Sequence, residues 1–248
     1  MRILTLAVMM AAIQMASLPG HGATADIMTA EITVMSLGKD CPAHIAAPKT
    51  TGRKPAIVYI HSIRGYEPGY ETMVDRFAAE GFVVLALKWQ TFERTPPDEV
   101  TEQLLRDAIG FLRTRGDVDG ARLGITGFCI GGRYTMLFLP QLTDFKAGVA
   151  WYGFPYAGGT ETQPKRPADV LAQLKAPLLI LHGSADAASK IADIYKYAQE
   201  LDAAGKYYEL KVYQGEPHSF ALKDGQFSDS VAAQDAYREM VGFFRRTL

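Results

Sequence analysis

Two hydrophobic periods alternate along most of the chain. Ala56–His61 (AIVYIH), Phe82–Leu87 (FVVLAL), Ala147–Tyr152 (AGVAWY) and Leu178–His182 (LLILH) are short, nearly unbroken apolar runs. Runs of this length, rich in β-branched and aromatic residues, predict strands buried on both faces. Between them the period changes to that of a helix. Asp98–Arg115 carries Val100, Leu104, Leu105, Ala108, Ile109 and Leu112 on one face. Pro68–Glu80 ends at Gly81, and Ser189–Ala204 is stopped by Gly205. Ile130–Leu139 and Ser228–Arg246 predict two further helices. Arg122–Phe128 and Tyr207–Tyr213 predict strands, with a turn over Gly116–Gly120. Ala30–Ser36 and Cys41–Ala47 read as a hairpin across Leu37–Asp40. The alternation predicts one α/β domain with a mostly parallel sheet and helices on both faces. Two long loops, Lys88–Pro97 and Gly153–Pro167, follow strands, where ligand sites of such sheets lie.

The first 25 residues have a different character. Arg2 is their only charge, Ile3 to about Met15 is apolar, and Ala23-Thr24-Ala25 precedes Asp26. This is the pattern of a secretory signal peptide over residues 1–25, followed by a domain over 26–248. The apolar stretch is short of the ~20 residues a membrane span needs. The expectation is an exported protein, periplasmic or secreted, free of the membrane after processing. Protein exported by a bacterial host is expected to begin at Asp26 by intact mass. Full-length chain retained in the cytoplasm would overturn this.

Of 248 residues, 48% are hydrophobic and 21% charged, with 26 basic and 27 acidic side chains. That composition excludes disorder, and the near-zero net charge without a basic run gives no footprint for nucleic acid. Two cysteines exclude a disulfide framework, and no metal-binding histidine motif occurs, so neither metal nor cofactor is expected. Chemistry concentrates in Gly127-Phe128-Cys129-Ile130-Gly131-Gly132. A G-x-nucleophile-x-G pattern between a strand and a helix is a nucleophile elbow. The glycines relieve crowding at a sharp turn, and the helix N-terminus favours a thiolate at Cys129. A thiol nucleophile needs a base and a group to orient it. His218 lies after the last strand in Gly215–Phe220, and Asp186 follows the strand ending at His182. His182 itself reads as a packed structural residue. Cys41 reads as an unpaired strand cysteine.

The elbow GFCIGGR, the segment HGSAD, the triplet His218-Ser219-Phe220 and Trp151-Tyr152-Gly153 together resemble the dienelactone hydrolase family of α/β-hydrolases, from about Ala30 to the C-terminus. The resemblance implies one α/β-hydrolase domain with an eight-stranded, mostly parallel sheet. It also implies an oxyanion hole from the backbone N–H groups of Ile130 and Ile63. Two positions depart from the family pattern: Ser62 occupies the slot of a Glu that meets the resting thiol, and Leu222 that of an Arg that holds a substrate carboxylate. Ser62, Trp89, Phe92, Tyr152 and Leu222 are the candidate pocket residues, with Phe154 and Tyr156 also expected at the mouth. Arg64, Arg94 and Arg133 are candidate anion contacts.

The expected activity is hydrolysis of small esters or lactones by a Cys129–His218–Asp186 triad through an acyl-enzyme, with neutral substrates preferred. A thioesterase or small-amide hydrolase on the same triad is the alternative enzyme. A catalytically silent ligand- or partner-binding protein is the alternative outside enzymology. The expected assembly is a monomer or small homo-oligomer.

Overall fold

The computed structural model describes residues 26–248, so the expected signal peptide lies outside the described residues. One eight-stranded sheet organises the domain. Its strands are β1 (Ile27–Ser36), β2 (Lys39–Pro48), β3 (Lys54–Ile60), β4 (Val83–Leu87), β5 (Val118–Phe128), β6 (Phe145–Trp151), β7 (Leu178–Gly183) and β8 (Tyr208–Tyr213). They lie in the order β1-β2-β4-β3-β5-β6-β7-β8. Only the β1–β2 and β2–β4 pairs are antiparallel; every pair from β4 to β8 is parallel.

The central parallel strands are buried because both their faces are covered, whereas β8 at the edge is half-buried. Val58 and Ile60 pack with α2 (Asp98–Thr114), α3 (Ile130–Phe138) and α5 (Ile191–Ala203) on one side. Ile57 and Tyr59 pack with α1 (Pro68–Ala79) and α6 (Val231–Thr247) on the other. A short α4 (Pro167–Val170) closes the loop after β6. Among the described residues no helix is long and apolar enough to cross a membrane.

Three expectations are corrected. The β1–β2 turn is two residues, not four: Leu37 and Gly38 both take positive φ (48° and 72°), the twist that continues a tight hairpin. The turn expected over Gly116–Gly120 is shorter as well, because Val118 already pairs with Lys54 and is buried. Sheet pairing there overrides the local turn residues, and a register shift between Lys54 and Ala56 absorbs the irregularity. A small hairpin, β9 (Leu222–Lys223) and β10 (Gln226–Phe227), follows the His218 loop and was not expected. It docks on α1 at Gly69, whose N–H donates to Gly225 O at 2.8 Å. A Cβ at Gly69 would meet Phe227 N at 2.5 Å, so only glycine admits the hairpin this closely. A glycine beside Pro68 in a helix start was the available signal.

Candidate active site

The elbow is the sharpest feature of the backbone. Cys129, between β5 and α3, has φ 59° and ψ −115°, a region a side chain occupies only under constraint. The constraint is visible on both sides. Cys129 N–H donates to Trp151 O at 3.0 Å, and Arg133 N–H donates to Cys129 O at 3.0 Å. A Cβ on Gly127 would overlap the Gly131 carbonyl, and one on Gly132 would lie 2.5 Å from Trp151 O. The glycines let α3 press against the ends of β5 and β6, and the turn then presents Cys129 almost fully buried, 8% exposed.

Asp186 and His218 arrive from the ends of β7 and β8. Asp186 follows β7 and is 5% exposed. Its Oδ1 accepts the N–H groups of Ala188 and Ser189, each at 2.8 Å, so it also fastens its own turn. Its Oδ2 accepts Nδ1–H of His218 at 2.7 Å. Burial alone would raise the Asp186 carboxyl, but His218 and the Ser189 N–H outweigh it and hold the group below its ordinary value. For His218 burial alone would lower the imidazole; the Asp186 hydrogen bond and the Cys129 sulfur reverse this and raise it to about 9. His218 Nε2 is buried without a hydrogen-bond partner of its own, and Cys129 is its reactive neighbour. Gly183 allows the approach: a Cβ there would overlap the Glu216 carbonyl two residues before the histidine. The structure thus brings Cys129, Asp186 and His218 together. His182 is a packed residue directly behind them, its Nε2 donating to Ser189 O at 2.8 Å and lying 3.5 Å from Asp186 Oδ2, with burial holding its imidazole below the ordinary value.

The remaining candidates divide. The Ile130 and Ile63 N–H groups have no acceptor among the described residues and flank the elbow from α3 and from the loop after β3. Ser62 beside them is buried, its Oγ accepting the Arg64 N–H at 3.2 Å. Trp89 does not line an open pocket: it is 1% exposed, stacks on His61 and donates its indole N–H to His61 O at 3.1 Å. Phe92 packs on the core under the Lys39 ammonium. Leu222 lies against Gly69 and holds the β9–β10 hairpin down. Tyr152 is wholly buried behind His218. Phe154 stays half-buried with its ring 5.4 Å from the His218 imidazole, while Tyr156 lies under the Lys196 ammonium. The surface in front of Ile63 is instead an open, shallow cleft lined by Ile63, Arg64, Gln90 and Arg94. Gln90 builds it, donating from Nε2 to Ile63 O at 2.9 Å and to Arg94 O at 3.1 Å.

Arg133 is no anion contact. It is 0% exposed and forms a bidentate pair with Asp98 at 2.6 and 3.0 Å. It also donates to Ala157 O and Lys165 O, fastening the Gly153–Pro167 loop to α2 and α3. Arg133→Met is expected to destabilise the fold by about 3–5 kcal/mol, because Asp98 is left buried without a counter-charge. Adding Asp98→Leu is expected to restore most of that. Urea unfolding measures both; a single-variant cost below about 1 kcal/mol would show that the loop relaxes to solvate Asp98.

Cys41 and Cys129 are both free, and burial pushes the Cys41 thiol up to about 11, which leaves it inert at neutral pH. Among the described residues one grouping has the makings of a metal site: His44, Glu71 and Asp75, on β2 and α1. Its histidine is already engaged within the protein. His44 bridges Glu31 and Asp75 at 3.2 and 3.0 Å, and Lys88 sits 2.6 Å from Glu31.

Sheet order, elbow and the His–Asp pair at the carboxyl edge define an α/β-hydrolase. The sequence model of the Dienelactone hydrolase family matches residues 41–89 and 86–248, and the chain belongs to that family, whose members hydrolyse ester or lactone bonds. It is 33% identical over 223 residues to a Methylorubrum extorquens protein named "Putative carboxymethylenebutenolidase", covering 83% of this chain and 76% of that one. It is 28% identical to a Bradyrhizobium protein named "Probable 2-oxo-3-(5-oxofuran-2-ylidene)propanoate lactonase", covering 90% and 96%. A Klebsiella pneumoniae structure titled "Putative Dienelactone Hydrolase" superposes with a TM-score of 0.82 at 28% identity, covering 89% of this chain and 99% of that one.

Proposed function

We propose that the protein hydrolyses small esters or lactones bearing a carboxylate, by covalent catalysis at Cys129. The observation that carries this reading is the 2.7 Å His218–Asp186 hydrogen bond set beside a strained thiol elbow. With His218 raised to about 9, the imidazole beside the sulfur carries its second proton at neutral pH and is ready to give it up. The sulfur attacks the acyl carbon, and the carbonyl oxygen, now negative, takes the N–H groups of Ile130 and Ile63. The C–O bond then breaks and His218 gives its proton to the departing oxygen, which in a lactone stays tethered to the acyl chain. Neutral His218 next takes a proton from water. The resulting hydroxide attacks the thioester, the C–S bond breaks, and the acid leaves with thiolate and imidazolium restored.

The substrate class follows from the cleft. Leu222 and Arg133 offer no cation, but Arg94 is exposed on the Gln90-braced rim in front of Ile63. An anionic group one short arm from the ester meets it there. This reverses the preference for neutral substrates expected from the sequence. The names of the relatives support an anionic lactone. Export of the mature domain is part of the same proposal, supported by the pattern of residues 1–25.

The test uses a matched neutral and anionic lactone pair. Wild type is expected to favour the anionic member in kcat/KM, and Arg94→Met to remove about tenfold of that advantage, the lower end for a charge-assisted contact. Rapid acid quench and mass spectrometry are expected to find the acyl group on Cys129. Equal rates for the pair in both proteins would overturn the substrate class, and an acyl group absent from Cys129 would overturn the mechanism.

A further inference from the structure

His61 is a buried imidazole that the acyl-transfer steps do not use. It follows β3, is 1% exposed, and stacks on Trp89 with ring centroids 5.3 Å apart. The rings of Tyr66 and Tyr70 lie around it at 6.0 and 6.4 Å. Its Nδ1 is 2.7 Å from Ser62 O. A carbonyl oxygen only accepts, so Nδ1 carries the hydrogen and donates. Burial lowers the imidazole to about 4, so the ring is neutral at neutral pH and the contact brings no charge with it.

Ser62 O and the Ile63 N–H belong to one peptide unit. That unit is planar, and no peptide bond among the described residues is cis, so its oxygen and its hydrogen point in opposite directions. Holding the oxygen therefore aims the hydrogen. Two donors hold it: His61 Nδ1–H, and the Gly65 N–H at 3.2 Å. The carbonyls on either side are held as well. Trp89 Nε1–H donates to His61 O at 3.1 Å, and Gln90 Nε2 donates to Ile63 O at 2.9 Å. Three successive carbonyls are thus fixed by side chains, two of which come from the loop after β4. The Ile63 N–H between them has no acceptor among the described residues. The whole brace sits against the thiol elbow. A Cβ on Gly131, in the first turn of α3, would lie 2.3 Å from Ile60 O and 3.0 Å from His61 O.

We propose that His61 is a positioning residue for the oxyanion: by holding Ser62 O, its Nδ1–H keeps the Ile63 N–H aimed at the negative oxygen that forms on the acyl carbon. This rests on the reading of Ile63 as an oxyanion donor. His61 touches no substrate and exchanges no proton. Donation into the Ser62 carbonyl also polarises the shared peptide, which strengthens the Ile63 N–H as a donor. A peptide free to rock would have to be reoriented at each turnover, and a preorganised donor avoids that cost.

Two substitutions separate the hydrogen bond from the packing. His61→Phe keeps a ring against Trp89 and has no donor. His61→Asn loses the ring but carries an amide N–H₂ at the place of Nδ1. On an aryl ester, kcat is expected to fall about tenfold in His61→Phe with KM nearly unchanged, a smaller loss than the roughly 10²–10³ for removing an oxyanion donor outright. In His61→Asn, kcat is expected to stay close to wild type. A packing role predicts the reverse order. Alkylation of Cys129 by iodoacetamide forms no oxyanion, so its rate is expected to match wild type in both variants. The matched thionoester, whose sulfur accepts hydrogen bonds poorly, reads the hole itself. Wild type is expected to favour the ester, and His61→Phe to shrink that ratio about tenfold. If His61→Phe does not fold, His61→Leu, the shape of asparagine without its amide, makes the same comparison. An unchanged ratio in the variant without the donor, an equal loss in His61→Asn, or a parallel fall in alkylation would overturn the proposal. A wild-type ratio near one would instead overturn the reading of Ile63 as an oxyanion donor.

Discussion

Cys129→Ala is expected to leave less than about one ten-thousandth of the wild-type kcat/KM on an aryl ester. Alanine keeps the backbone of the elbow and removes only the sulfur. The Ile130 and Ile63 N–H groups and the cleft remain, so binding and oxyanion stabilisation persist without anything to attack. That residue of catalysis is what sets the floor. Because the side chain is small and alanine meets the same positive φ, the melting temperature is expected to fall by only a few degrees. Initial rates at saturating enzyme, with a melting curve on the same sample, make the measurement. Activity within tenfold of wild type would take Cys129 out of the chemistry.

Asp186→Asn is expected to lower kcat/KM by about 10³–10⁴-fold while the protein stays folded. The amide oxygen can still accept the Ala188 and Ser189 N–H groups now held at 2.8 Å, so the turn survives. What changes is the face toward His218. An amide N–H₂ cannot accept the Nδ1 proton, so the ring takes the opposite tautomer or turns away. The charge that raises His218 to about 9 is also gone. The sign of the pH effect follows: acylation needs His218 protonated, so wild-type rates decline as pH rises through about 9, and in Asp186→Asn that decline moves to lower pH. A pH profile of kcat/KM for both proteins reads it. An unchanged alkaline limb would mean that something other than Asp186 supports the histidine.

The sheet was legible because burial on both faces leaves no polar alternation to misread: β3, β4 and β7 stand out as apolar runs. The elbow was legible because three glycines are needed where α3 crosses β5 and β6, and such crowding leaves a local mark. The contents of the cleft were not. Trp89 and Arg94 lie in one loop, and no periodicity indicates that the first turns in to stack on His61 while the second stays out. Leu222 likewise needed the hairpin, whose turn is set by contact with Gly69 far away in the chain. Tyr152 is left-handed, with φ 37°, and that conformation is imposed by bonds from Leu181 and through Trp151 to Cys129, so it has no signature in the residues beside it.

The contact at Gly69 also orders the assembly of the protein in time. Its two sides, α1 and the hairpin after His218, come from early and late in the chain, and synthesis delivers them in that sequence. A nascent chain can pair β3, β4 and β5 and form the thiol elbow well before the hairpin emerges to dock. During that interval the sulfur has neither its base nor the Phe220 packing that belongs to the late segment. A ribosome stalled ahead of His218 therefore holds a nearly complete sheet with an open thiol, the stage at which this chain is most vulnerable to oxidation.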